Sequence, residues 1–287
     1  MKTRFGSAGN PESFYEAGFK SSVQMPEYLA GQGLNAYEYQ CSRGVRISEK
    51  LAREIGAKAK EFDIAMSIHA PYYINLSSED TKIQDSSKVH LMKSLEVARW
   101  MGATRIVFHA GGGAKGDRVA ALSRAKKLLL EVLEEKEAGG YEEIYLCPET
   151  MGKLNQLGNM EEVLELCKLH PKVIPTIDFG HLHAASQGSL TNKEAFGRIL
   201  DRVGEVLGEE VMKNLHVHFS PIEFTGAGEK KHWTLLDAQF GPDFVHLAQL
   251  MAERHMTPVI ICESAGRQSE DAKIFRNMYE LEIESRN

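Results

Sequence analysis

At 287 residues, 43% of them hydrophobic and 26% charged, the chain can bury a substantial core and does not have the composition of a disordered segment. Its net charge of −6 offers no general attraction to nucleic acid, so a polyanionic partner would need a local positive patch or a bound cation. No run approaches the ~20 apolar residues needed to cross a bilayer, and "MKTRFGSAGN" lacks the apolar stretch of a secretion signal, which predicts a soluble, cytoplasmic protein.

In chain order, short β-branched runs alternate with longer amphipathic ones. The predicted strands are "TRFGSA" (3–8), "NAYEYQ" (35–40), "AMSIHA" (65–70), "RIVFHA" (105–110), "EIYLCPE" (143–149), "VIPTIDFGH" (173–181), "NLHVHFS" (214–220) and "PVIICES" (258–264). Helical patterns between them include 48–62, 89–102 and 118–140, the last ending in Gly139–Gly140. Eight strand–helix units with no linker dividing them predict an α/β fold, a (β/α)8 TIM barrel forming one domain over 1–287. A doubly wound open sheet is the alternative. Against it, no GxGxxG follows the first strand, and "GGGAKGD" (111–117) lacks the ending of a phosphate loop, so it reads as a flexible strand-to-helix loop. Cys41, Cys147, Cys167 and Cys262 have no CxxC pairing and are expected to be buried thiols, neither disulfides nor zinc knuckles.

Inward residues at the C-terminal ends of barrel strands face the active site. Seven metal-capable side chains fall there: His69, His109, Glu149, Asp178, His181, His218 and Glu263. One histidine at a strand end is ordinarily structural. Three desolvated carboxylates together, however, repel one another unless metal or protons neutralise them. Imidazole and carboxylate without thiolate suit zinc, manganese or iron, and seven candidates exceed the four ligands that one zinc usually takes. More than one ion is therefore expected, and two divalent cations against three carboxylates would leave the mouth net positive and able to hold a phosphodiester. His216 shares a strand face with His218 and reads as a deeper core residue. His183 reads as structural, and His90, His170, His246 and His255 read as surface residues.

The motifs "HAPYYINL" (69–76), "FHAGG" (108–112), "ETMGKLNQLG" (149–158), "TIDFGHLHAASQG" (176–188), "HFS" (218–220) and "CES" (262–264) resemble, in order, those of the endonuclease IV family of the xylose isomerase-like barrels. The resemblance implies a DNA-repair enzyme that cuts double-stranded DNA 5′ to abasic sites, using a hydroxide held between metal ions. It implies that His69, His109 and Glu149 hold one zinc, that Glu149 bridges to a second held by Asp178, His218 and Glu263, and that Glu263 also orients the nucleophile. Tyr72 matches an aromatic that enters the minor groove, and Arg43 is a weaker DNA-contact candidate. The chain is expected to act as a monomer.

Two stretches depart from the family. "FGSAGNP" (5–11) replaces a "GSHVS"-like stretch, and the Asp-x-His pair that completes a third zinc with His181 reads Lys230-Lys231-His232. Three arrangements follow for that site: Glu229 substitutes as a ligand, His181 and His232 hold an ion with water, or Lys230 replaces the ion as a phosphate-binding cation. The favoured expectation keeps His232 as a ligand, leaves the aspartate position vacant and assigns Lys230 and Lys231 to DNA phosphates. Two other functions compete. Glu149, Asp178, His218 and Glu263 resemble the one-metal site of sugar isomerases and epimerases, where paired glutamates move a proton at carbon. A catalytically weak protein that binds damaged DNA is the third reading.

Overall fold

In the computed structural model, residues 2–112 and 116–286 are described. Residues 113–115 of the predicted "GGGAKGD" loop lie outside the described residues. Eight parallel strands form the barrel: β1 (Arg4–Ala8), β2 (Ala36–Gln40), β3 (Ala65–His69), β4 (Arg105–Phe108), β5 (Tyr145–Pro148), β6 (Thr176–Asp178), β7 (His216–Phe219) and, after two further strands, β10 (Val259–Cys262). Their order is β5-β4-β3-β2-β1-β10-β7-β6. Single parallel bridges, Leu146 to Val173 and Glu149 to Thr176, join the two outer strands and close the ring. The expected TIM barrel is thus formed, and Glu149 stands on its closing seam.

Strands such as "RIVF" and "VIIC" are buried almost throughout because helices cover one side and the barrel interior the other. Side chains cap the connecting helices where polar residues precede apolar periodicity. Ser48, Asp80, Asp117, Asn159, Asn192 and Asp243 each accept a hydrogen bond from the first turn that follows. Each such cap contributes about 1 kcal/mol. Asp80 starts the helix Thr81–Met101 well before its expected beginning at 89. All four cysteines are buried free thiols.

One strand reading needs correction. The sixth predicted strand, 173–181, is ordered as a strand only over Thr176–Asp178, and His181 lies in the short helix Phe179–Ala185. Asp178 ends the strand by accepting the His181 backbone N–H at 2.7 Å, a local cap that outcompetes strand continuation. The stretch Lys230-Lys231-His232 lies in an antiparallel hairpin that the period reading does not single out, β8 (Ile222–Thr225) with β9 (Gly228–His232). Among the described residues, no helix is long and apolar enough to cross a membrane.

Candidate metal centre

Every strand in a parallel barrel runs the same way, so residues at or just past the C-terminal ends converge on one mouth. His69 ends β3, His109 follows β4, Glu149 follows β5, Asp178 ends β6, His218 lies near the end of β7 and Glu263 follows β10. Glu149 is central. Its Oε2 lies 3.3 Å from His69 Nε2 and 3.1 Å from His109 Nε2, while its Oε1 lies 3.1 Å from His218 Nδ1 and 3.3 Å from His181 Nδ1. One carboxylate therefore faces two groups of imidazoles with different oxygens.

Among the described residues, four groups have ligand atoms close enough to share an ion, three of them overlapping at the mouth: His69, His109 and Glu149; Glu149, Asp178, His218 and Glu263; and His181, His232 and Glu263; the fourth, Glu38, His216 and His218, lies beneath. Tautomers are set from outside the cluster. His69 Nδ1 meets the Ala70 carbonyl at 2.8 Å and His181 Nδ1 meets the Thr150 carbonyl at 2.9 Å. A carbonyl only accepts, so both rings carry a proton on Nδ1 and point Nε2 into the cavity, where His69 Nε2 meets Glu149 Oε2 at 3.3 Å and His181 Nε2 meets Glu229 Oε2 at 3.4 Å.

The third group differs from expectation in an informative way. On the hairpin, Glu223 pairs with Lys231 and Phe224 with Glu229, so Lys230 is an extra, bulged residue. Paired residues share a face and alternate residues share a face, so Ile222, Phe224, Glu229 and His232 all lie on one side. The bulge lets Glu-x-x-His occupy the face that Asp-x-His would use in a regular strand. Glu229 Oε2 lies 3.4 Å from His181 Nε2, and Glu229 Oε1 lies 3.8 Å from His232 Nε2. The position expected to be vacant holds the Glu229 carboxylate. Lys230 is turned outward, paired with Glu223, and Lys231 lies 3.8 Å above the Trp233 ring.

The hairpin reaches the cluster through two glycines. Glu229 N–H donates to Gly152 O at 2.9 Å. A Cβ on Gly152 would come within 2.6 Å of Glu229 Cβ, and Gly228, at φ +96°, would carry one 2.1 Å from Gly152 O. Neither position accommodates a side chain in this arrangement.

Glu149 and Asp178 are buried, and Glu229 and Glu263 are nearly so. Among the described residues none of the four pairs with lysine or arginine; their ion-pair contacts are all to histidine. Two carboxylates ~4 Å apart repel by about 4 kcal/mol at an effective dielectric of ~20, so such a set needs cations or bound protons. Burial pushes Glu263 up, as do the charges of Glu149 and Asp178, to about 8. Burial also acts against ionised Glu149, but His218, His109 and His181 outweigh it and hold that carboxyl well below its usual range. Asp178 spends Oδ1 on the helix cap, while its buried Oδ2 has no hydrogen-bond partner. A buried carboxylate oxygen without a hydrogen bond, at a converging nitrogen and oxygen donor set, fits a divalent cation.

A cavity of about 240 Å³ opens over this set, lined also by Tyr72, Lys153 and Gln156. Tyr72 is 62% exposed at the rim. Arg43 is exposed in the segment after β2. His216 and His183 are buried away from solvent, in keeping with structural roles. Sequence reasoning does not single out Glu38, which is fully buried beneath His218. Its signal was the alternation in "AYEYQ", which puts Ala36, Glu38 and Gln40 on one face.

A family profile described as a xylose isomerase-like TIM barrel matches residues 26–280. The chain belongs to that family. An uncharacterised protein of Methanocaldococcus jannaschii is 33% identical over 262 residues, with 91% of each chain covered. A probable endonuclease 4 of Mycoplasma pneumoniae is 26% identical over 76% of this chain and 73% of its own. Among solved structures, a D-tagatose 3-epimerase-like protein aligns with a TM-score of 0.73 at 19% identity, covering 99% of this chain and 100% of that one. Endonuclease IV from Thermus thermophilus aligns at 0.71 and 21%, covering 98% and 99%. At these identities the two structural likenesses show the shared fold. The xylose isomerase-like barrel chain is thus a divergent member of an enzyme superfamily, with endonuclease 4 proteins among its low-identity relatives.

Proposed function

We propose that the chain is a metal-dependent endonuclease that cleaves the DNA phosphodiester 5′ to abasic sites. The observation that carries this reading is the split use of Glu149. One oxygen faces His69 and His109, and the other faces His218 and His181. A one-metal epimerase has no need of His69 and His109 as ligands. His69, His109 and Glu149 would hold one ion, Glu149, Asp178, His218 and Glu263 a second, and His181 and His232 a third, completed by Glu229, 3.4 Å from His181 Nε2, in place of the Glu263 already engaged in the second. Zinc fits these donors best, with manganese or iron also compatible. Divalent ions there supply neutralisation of the phosphate oxygens and a water ionised at neutral pH.

The chain's own residues do the rest. Glu263 borders the same cavity as Glu149 and orients the attacking water. Tyr72 offers an exposed aromatic face at the rim, suited to the gap left by a missing base. Swinging an abasic nucleotide outward breaks no base stacking for that residue, which favours the damaged site. Lys231 borders an open trough of about 480 Å³ that shares Glu229, His232 and Glu263 with the metal cavity, and its ammonium rests on Trp233 instead of on a carboxylate. That leaves its charge for a phosphate. Lys230 is neutralised by Glu223 and contributes less than sequence reasoning expects.

Sugar epimerisation is the second reading, supported by Glu149 and Glu263 facing one cavity. A synthetic duplex with one abasic site separates the two. Nicking that leaves a 3′-hydroxyl, stopped by chelator and restored by zinc or manganese, is the expected result. Ketose turnover without nicking would overturn the nuclease reading.

A further inference from the structure

Beneath the metal-capable cluster a string of buried polar side chains runs down the barrel interior: His218, Glu38, His216 and Arg105. Glu38 Oε2 accepts from Ser67 Oγ at 2.9 Å and lies 2.9 Å from His216 Nε2, and Oε1 accepts from Gln40 Nε2 at 3.1 Å. None of these partners reaches the metal-capable cavity. A fully buried carboxylate is costly wherever it lies, so its position directly under a candidate ligand calls for an account.

The proton positions follow from what each partner can do. Arg105 Nη1 lies 3.4 Å from His216 Nδ1, and a guanidinium only donates. His216 Nδ1 therefore accepts, its proton sits on Nε2, and Nε2–H donates to Glu38. With three donors directed at it, Glu38 is an acceptor throughout. Its Oε1 stands 3.0 Å from His218 Nε2, close enough for charge-assisted pairing although the ring is out of line for a regular hydrogen bond. That nitrogen is buried and has no hydrogen-bond partner elsewhere. His218 thus has a carboxylate on each side: Nδ1 is hydrogen-bonded to Glu149 Oε1, and a cation that takes the Nδ1 lone pair must displace that contact, leaving the ring's one proton on Nε2, where Glu38 stands to receive it. Nδ1 is the atom that faces Glu149 Oε1 at 3.1 Å and Glu263 Oε1 at 3.4 Å.

We infer that Glu38 is a positioning residue: backed by Ser67, His216 and Arg105, it sets the His218 ring and tautomer so that Nδ1 is presented as a metal ligand. This rests on the proposed metal-dependent reading of the site. His69 and His181 are oriented by backbone carbonyls, whereas His218 is oriented by a buried carboxylate, which also adds a negative charge just behind the ligand. Partners of this kind typically change metal affinity by about 10–100-fold when removed.

The test uses the full chain loaded with zinc and, separately, with cobalt. Metal affinity is measured by competition with a chromophoric chelator and ligand geometry by the cobalt absorption bands, for wild type, Glu38→Ala and Glu38→Gln. Glu38→Gln keeps the shape and serves where Glu38→Ala does not fold. The expected result is an affinity lower by about 10–100-fold at one ion, with displaced cobalt bands. A merely structural role lowers the melting temperature but leaves affinity and bands at wild-type values, and that outcome overturns the inference while the metal reading stands. A wild-type chain that binds no zinc or cobalt overturns the metal reading itself.

Discussion

The barrel mouth and the interior just below it are built from the same residue types and treat them oppositely. Below, the carboxylate of Glu38 is saturated by Ser67, His216 and Gln40. At the mouth, Asp178 Oδ2 is buried with no hydrogen bond, only the His181 Nδ1 contact at 3.4 Å, and Glu149, Glu229 and Glu263 meet imidazoles at 3.1–3.9 Å with no lysine or arginine among their ion-pair partners in the described residues. Buried polar groups in native proteins are nearly always satisfied. Glu38, held by hydroxyl, amide and imidazole donors, marks the scaffold, and the converging carboxylates that meet only imidazoles mark where a cation fits. His218 belongs to both regions, with one nitrogen toward each.

The largest effect should come from the one residue that spans the mouth. Glu149→Gln is expected to lower single-turnover nicking of an abasic-site duplex by about 10³-fold or more, and His69→Ala to do likewise. Wild-type nicking by either variant would break the contrast, since the converging set would then be dispensable. Removing the cations tests the same contrast without substitution. At a free ion concentration of ~1,000 times Kd, each bound ion stabilises the fold by about 4 kcal/mol. Chelation is therefore expected to lower the melting temperature by about 10 °C or more. An unchanged melting curve would mean that protonated imidazoles alone balance the carboxylates.

A smaller change should follow at the hairpin. Glu229→Gln is expected to lower the metal count by one ion per chain, read by elemental analysis, and to leave the Glu149 ions in place. An unaltered count would exclude Glu229 as a ligand. The smallest effect separates the two lysines. Lys231→Ala should reduce the slope of log affinity against log salt by about 0.9, the value for one phosphate contact on duplex DNA, and Lys230→Ala should leave it near wild type. Equal slopes for the two variants would count against a special role for the lysine on Trp233.

Much of this architecture is readable in the linear chain. Strand-to-helix alternation and capping residues are local properties, so eight units and a barrel follow from periodicity. The direction of parallel strands then puts His69, His109, Glu149, Asp178, His218 and Glu263 at one end of the barrel without further information. His181 is misplaced onto a strand by the same reasoning because "IDFGH" does not announce that Asp178 will cap a helix instead.

Other features depend on partners far apart in sequence. That Glu229 and His232 share a face is decided by a one-residue bulge, and the bulge exists through pairing with β8 and the close approach of Gly152 and Gly228. That Glu38 lies beneath His218 is a contact between β2 and β7, set by barrel closure and invisible to any local pattern. Residue type, period and end-of-strand position determined which groups could bind a cation. The tertiary structure alone decided which of their oxygens and nitrogens are left unsatisfied, because hydrogen-bond saturation is a property of neighbours in space.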